Sequence, residues 1–375
     1  MDAAQRITER HLKRARAALQ TFFVGDALSM PVHWYYNPLD IQQAFPGGIQ
    51  KMEAAPAFHP SSIMSLHSTS AGGRGKQGNQ QGTEIVGDVI LKDKRQYWGI
   101  ANQHYHQGMP SGENTLNAWC ARLLMRCITA NGDYTQNNFL NDYIDFMTSD
   151  QPQHPDTYAE SYHRGYFANL QAGNAPDKCG AVTHDTPSIG GLVTVIPLAL
   201  HKLIQNQNLS TVQNICKQHL LLTHPDDSLA RVCDSLVVLI QELLTRPDDQ
   251  DPMPLLIKAS KSIPKTNPKT NPKTNLEQLV KKAASDLHVI GGHYSSACYI
   301  TDSWPCMLYL AAKYQSDVTA ALIANTNSGG ENAHRGAVLG SIVGLINGTT
   351  AEVLFNQLRH KDSINREIDQ LLTLS

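Results

Sequence analysis

Glycine recurs at every fourth position, as Gly336, Gly340 and Gly344, inside a stretch running from Ala333 to Ile346 whose Val338, Ile342 and Leu345 form an apolar stripe at helical spacing. In a helix interior each glycine is unfavourable by about 1 kcal/mol relative to alanine. A ridge of them is expected where another backbone packs closely against the helix. The chain is therefore expected to fold around a close helix–helix contact.

The other patterns agree. Leu12, Ala15, Leu19 and Phe22 recur at spacings of 3, 4 and 3, which predicts an N-terminal helix running into Gly25-Asp26-Ala27-Leu28-Ser29-Met30-Pro31, where Pro31 limits it. From Glu113 a second helix is expected, with Leu116, Cys120, Leu123 and Cys127 on one face. Further helical windows lie near 135–148, 156–171, 190–206, 210–222, 226–245, 276–287 and 303–314. Alternating apolar and polar runs are sparse, so the expected class is mainly α. Residues 37–110 read as a long irregular region, of the kind that is usually functional or mobile. Residues 264–275 repeat PKTN three times, and prolines at that period predict an exposed, extended linker.

Composition narrows the classes of function. With 31 Lys and Arg against 33 Asp and Glu, the net charge of −2 argues against a nucleic-acid partner, and nothing resembles a polybasic membrane segment. The longest apolar stretch, Gly190–Leu200, is too short to span a bilayer. The N-terminus mixes charges of both signs without the apolar core of a signal peptide. Seven cysteines without a CxxC spacing read as reduced, mostly buried thiols, so a cytoplasmic location is expected.

Several motifs invite chemistry. Gly73-Arg74-Gly75-Lys76-Gln77-Gly78 fits GxGxxG but lacks the strand before it and the helix after it that a dinucleotide site needs. His104-Tyr105-His106 offers two imidazoles, which read as surface or supporting residues because zinc needs a third ligand. His224-Pro225-Asp226-Asp227 reads as a helix start capped by an aspartate. Gly112-Glu113-Asn114 and Gly330-Glu331-Asn332 repeat one triplet, each at the mouth of a helix. If the two helix starts face each other, Glu113 and Glu331 form a carboxylate pair suited to acid–base work on a glycoside.

At this point the chain resembles the ADP-ribosylglycohydrolase family. Gly25-Asp26-Ala27-Leu28-Ser29-Met30-Pro31-Val32-His33 is similar to the family's opening GDALG-MP turn, and Gly112-Glu113-Asn114-Thr115 to its TDDT motif. Ser188-Ile189-Gly190-Gly191-Leu192 through Pro197 resembles the GNGALMR segment, and Leu222-Thr223-His224 the LTH element. Gly329-Gly330-Glu331-Asn332-Ala333-His334 resembles GGDTDT. The resemblance implies an all-α fold, a compact orthogonal multi-helix bundle forming a single domain over 1–375, with an ADP-ribose cleft and two magnesium ions between the TDDT and GGDTDT helix starts. Here the four aspartates of those motifs are replaced by Glu113, Asn114, Glu331 and Ala333, and the family's glutamate after the first turn is His33. Such a donor set suits hard, octahedral magnesium poorly.

The resemblance thus implies a hydrolase of an ADP-ribosyl or related ribosyl glycosidic bond, without the dinuclear magnesium centre. Glu113, Glu331 and His33 are expected to be catalytic. Asn114, Thr115, Ser188, Gly190, Gly329, Gly330, Asn332 and His334 are expected to bind the ligand. No metal or other cofactor is expected, a single softer ion on Glu113, Glu331 and His334 being the variant. The partner is an ADP-ribose-containing small molecule or an ADP-ribosylated acceptor, with no nucleic acid and no membrane. The alternative is a catalytically inactive member that binds ADP-ribose or a nucleotide, or is structural; a glycosidic or nucleoside-type hydrolase of unrelated substrate is a third reading.

Overall fold

Two helices, Glu9–Ser29 and Asn332–Asn347, lie against each other along their length in the computed structural model, which describes residues 7–66, 83–262, 275–283 and 285–374. The glycine ridge sets their separation. A Cβ added to Gly336 would lie 2.5 Å from the Gly25 carbonyl oxygen, one on Gly340 2.3 Å from that of Thr21, and one on Gly344 2.7 Å from that of Ala17. Ala17, Thr21 and Gly25 are also four residues apart, so two small-residue ridges meet in register. Every residue from Asn332 to Ile346 is buried, the glycine side included, so this helix has no solvent face.

The other helices wrap this pair. Asn332–Asn347 also packs on Val318–Asn327, Ile300–Lys313 and Asp227–Thr245, while Glu9–Ser29 also meets Lys361–Thr373. The last of these lies on Leu116–Asn131, which packs on Gln136–Thr148. A contiguous set of buried apolar side chains runs from Ala15 to Leu372. Asp226 caps its helix by accepting from the Leu229 amide at 2.7 Å, as expected. Among the described residues β pairing is limited to isolated bridges. The architecture is the all-α bundle that the sequence predicts.

Several helix boundaries differ from the expected windows. The window at 156–171 becomes helical only from Ser161 to Gln171, and 190–206 splits into a 3-10 turn, Ile189–Leu192, and a helix, Val195–Ile204. The window at 276–287 ends at Lys282, with a separate turn at Asp286–Val289, and 303–314 begins at Ile300. Residues 37–110 are largely irregular where described, holding the short helix Pro38–Ala44 and a few single turns. The GxGxxG string at 73–78 and the PKTN repeat, except Asn275, lie outside the described residues. All seven cysteines are free and buried. No described helix is long and apolar enough to cross a membrane.

Candidate functional site

The Gly329-Gly330 turn delivers Glu331 to the interior. Both glycines have positive φ, 66° and 63°, and a Cβ would fall 2.2 Å from the Tyr35 carbonyl oxygen at Gly329 and 2.1 Å from that of Ser296 at Gly330. Backbone bonds clamp the turn: Trp34 N donates to Gly330 O at 2.8 Å, Gly330 N to Tyr35 O at 2.7 Å, and Glu331 N to Ser296 O at 2.8 Å. Trp34 itself has φ of +64°, a strained value for a bulky residue. Its indole N–H donates to Glu331 Oε2 at 2.6 Å, which helps to hold the conformation.

Glu331 is wholly buried among imidazoles. His33 Nε2 lies 3.1 Å and His334 Nδ1 2.7 Å from the same oxygen, Oε1. Behind His33 a relay continues: His33 Nδ1 is 2.8 Å from His106 Nε2, and His106 Nδ1 is 2.8 Å from Asp156 Oδ1. The other oxygen of Asp156 accepts from the Leu116 amide at 2.7 Å, at the start of the Leu116–Asn131 helix. Burial opposes ionisation of Glu331, yet His334 and His33 bring its carboxyl well below the usual range. Burial also opposes the charge on His334, but the Glu331 and Glu160 carboxylates lift it to about 10. Burial lowers His33 to about 3, against the pull of Glu331.

Glu160 is the second acid of the site. Its Oε2 lies 4.0 Å from His334 Nδ1 and accepts from Asn117 Nδ2 at 2.8 Å, whereas its buried Oε1 has no hydrogen-bond partner. Burial pushes it up to about 8; the His334 charge opposes this, and Asp185 and Glu331 add to it. Asp156, Tyr158 and Glu160, alternate residues of one non-helical segment, line a small cavity with His33, Trp34 and His334. Trp34 and Tyr158 also belong to a neighbouring cleft of about 270 Å³, whose walls include Tyr36, Tyr105, Tyr299 and Asp185. Aromatic walls with a few polar groups are the makeup of a small-molecule site.

The expected residues divide into two groups. Glu331, His33, His334 and Thr115 do surround the small cavity or its carboxylate. Gly190 lies beside it, where a Cβ would meet Asn117 Nδ2 at 3.0 Å and His334 Nδ1 at 3.1 Å. Ser188 is held by an isolated bridge to Tyr299, and its buried hydroxyl has no partner. Glu113 is directed elsewhere. Its Oε1 accepts from Trp119 Nε1 at 3.1 Å, and its Oε2 lies 3.2 Å from His360 Nε2 and 3.6 Å from Arg359 Nε. It shares no hydrogen-bond partner with Glu331, whereas Glu160 and Glu331 both approach His334 Nδ1. Asn114 donates to Asp26 Oδ1 at 2.8 Å and to Phe23 O, and Asn332 donates to the carbonyls of Val32 and Thr326. Those amides hold the backbone. Thr115 likewise donates its hydroxyl to Asp26 Oδ2 at 2.6 Å.

Trp34, Asn117, Asp156, Tyr158 and Glu160 line the small cavity without having been expected from sequence, and His106, expected as a surface or supporting residue, stands behind His33. The alternation of Asp156, Tyr158 and Glu160 was a signal for one lined face, hidden by treating 156–171 as helix. His104 and His106 are buried rather than at the surface, and His106 supports His33.

A pair of magnesium ions does not fit these residues. Glu113 is bonded to the C-terminal segment, the Asn114 amide is committed to Asp26, and Ala333 offers no oxygen. Of the four motif positions Glu331 alone keeps a carboxylate at the cavity, and it is ringed by nitrogen donors, where magnesium prefers charged oxygens and retained waters.

Comparison with known proteins agrees with the architecture. A solved structure of an ADP-ribosylglycohydrolase-related protein complex is similar to this chain with a TM-score of 0.59 and 15% identity, covering 98% of this chain and 100% of that one. At that identity the likeness concerns the fold. No curated protein matches. The ADP-ribosylglycohydrolase family model matches residues 7–375, and the chain belongs to that family.

Proposed function

We propose that the protein hydrolyses a ribosyl glycosidic bond in an ADP-ribose-containing molecule or ADP-ribosylated acceptor, without a dinuclear magnesium centre. One observation carries this reading. Two buried carboxyl groups, Glu160 and Glu331, lie within 4.0 Å of one imidazole nitrogen of His334, beside a cleft walled by aromatic rings. Their surroundings push them in opposite directions, which separates an acid from a base.

Glu160 is the general acid. Its carboxyl is protonated near neutral pH, and its unpartnered oxygen is the one available to donate to the leaving group. Glu331 keeps its negative charge in a dry pocket, where it favours positive charge developing at the anomeric carbon. The rings of Trp34, Tyr36, Tyr158 and Tyr299 offer faces for a base and a sugar, and Asp185 an acceptor for ribose hydroxyls.

Release of ADP-ribose from arginine-, serine- and nucleotide-linked substrates tests the reading. Glu160→Gln is expected to lower kcat by about 100-fold or more, the usual scale for a lost general acid. Glu113→Gln distinguishes the two possible acid pairs: a loss as deep as that of Glu160→Gln would return Glu113 to the site. A second reading has its own observation, since both oxygens of Glu331 already meet protein nitrogens. On that reading the protein binds ADP-ribose without cleaving anything, and calorimetry would give tight binding with no release from any of the three linkages.

A further inference from the structure

Two imidazoles and a carboxylate converge at Glu331. His33 Nε2 lies 3.1 Å from Glu331 Oε1. His334 Nδ1 approaches the same oxygen at 2.7 Å without the alignment of a hydrogen bond, and has no other hydrogen-bond partner. Behind His33, its Nδ1 lies 2.8 Å from His106 Nε2, and His106 Nδ1 lies 2.8 Å from Asp156 Oδ1. His33, Glu331 and His334 are each at least 98% buried.

The geometry points to a single transition-metal ion of the zinc class, held by His33 Nε2, Glu331 Oε1 and His334 Nδ1. These three atoms lie within 4.8 Å of one another. Metal–ligand bonds of about 2.0–2.1 Å in a tetrahedron set ligand atoms about 3.3 Å apart, close to the 3.1 Å between Oε1 and His33 Nε2, while His334 Nδ1, at 2.7 Å from Oε1, would move outward on binding. Two imidazoles and one carboxylate form a catalytic zinc ligand set, with the fourth position open. The remaining nitrogen of His33 is oriented by His106 and Asp156, the outer carboxylate–histidine support that ligating imidazoles commonly have. Imidazole ligands also explain the choice of ion, since they favour zinc, cobalt or nickel over magnesium. The donor set differs from the variant expected from sequence: His33 takes the place of Glu113.

This inference does not depend on the hydrolytic reading, because ion binding is measured with no substrate present. The full-length protein, freed of metal by chelator and dialysis, is titrated with Zn²⁺, Co²⁺ and Mg²⁺ by calorimetry and absorption. One Zn²⁺ or Co²⁺ per chain is expected, with the intense visible band of low-coordinate cobalt and no displacement by millimolar Mg²⁺. His33→Ala and His334→Ala should each weaken Zn²⁺ by more than about 100-fold, and Asp156→Asn, a positioning change, by about 10-fold or more with a shifted cobalt band. Electron–nuclear double resonance on wild-type cobalt protein counts imidazole nitrogens without any substitution, and two are expected. Wild-type protein that binds no Zn²⁺ below millimolar concentration overturns the inference. Fewer than two coordinated imidazoles, or undiminished binding in folded His33→Ala protein, overturns it as well. Failure on any of these counts leaves the rate loss expected of Glu160→Gln unaffected.

Discussion

Glu331 shows how one side chain can organise a site. Its carboxylate meets three nitrogens from two distant parts of the chain: the Trp34 indole, the His33 ring and the His334 ring. Removing one charge from a buried pair strands the other, typically at about 3–5 kcal/mol. Glu331→Gln should therefore lower stability by about 3 kcal/mol in urea melts, because His334 loses the group that favours its protonated form. An unchanged midpoint would mean that the pair contributes nothing to the fold. Much of this was legible from sequence: the second Gly-Glu-Asn triplet marked Glu331, the likeness of Gly329–His334 to the GGDTDT motif marked His334, and the likeness of the opening turn to the family's marked His33. Glu160 was not legible, since a lone glutamate before a helix looks like an ordinary first-turn acid. Its role comes from burial and from Asn117 and His334, partners set by tertiary packing.

At the scale of elements, the Glu9–Ser29 and Asn332–Asn347 pair is the part of the fold that the sequence announced most clearly. Glycines four apart make sense only beside another backbone, and that backbone carries its own small residues at the same period. The pair also positions the site, because Asp26 and His33 lie at one end of the first helix and Glu331 and His334 at the mouth of the second. Helix propensity alone says that Gly340→Ala would stabilise by about 1 kcal/mol. Packing says the reverse, since the new methyl group would lie 2.3 Å from the Thr21 carbonyl oxygen. Overpacking of this kind is destabilising by about 1–3 kcal/mol, more where backbone must move, so a net loss of about 2 kcal/mol is expected in denaturant melts. A stabilised variant would mean that the helices separate without cost. The start of the Leu116–Asn131 helix was less legible. Its position was expected, but the direction of Glu113 depends on Trp119 and on His360, almost 250 residues later.

Across the whole molecule, histidine burial is the dominant electrostatic feature. Burial lowers His154 to about 4 and both His219 and His224 to about 3, from an ordinary value of 6.5. These rings stay neutral when folded and take up protons when unfolded, so their stabilising contribution is complete above pH 6.5 and is lost as pH falls toward 4 and 3. Each contributes a slope of up to about 1.4 kcal/mol per pH unit in that window. Thermal melts from pH 7 to 4 should therefore show a midpoint that falls steadily, and a flat profile would mean that the rings are already charged in the folded protein. Composition gave the number of histidines but not their burial, which depends on tertiary packing: His219 lies within the Leu209–Leu221 helix, His154 and His224 in non-helical segments.

Cleavage of a ribosyl bond with Glu160 as acid and without paired magnesium ions is the activity proposed for this member of the family. Single-turnover release of ADP-ribose by wild-type and Glu160→Gln proteins, with and without added Mg²⁺, tests it alongside calorimetric binding of ADP-ribose to each. Wild-type release is expected to be indifferent to Mg²⁺, and the variant to bind ADP-ribose still but to release it about 100-fold more slowly or worse. Full-rate release by the variant, or wild-type release that begins only when Mg²⁺ is added, would contradict it.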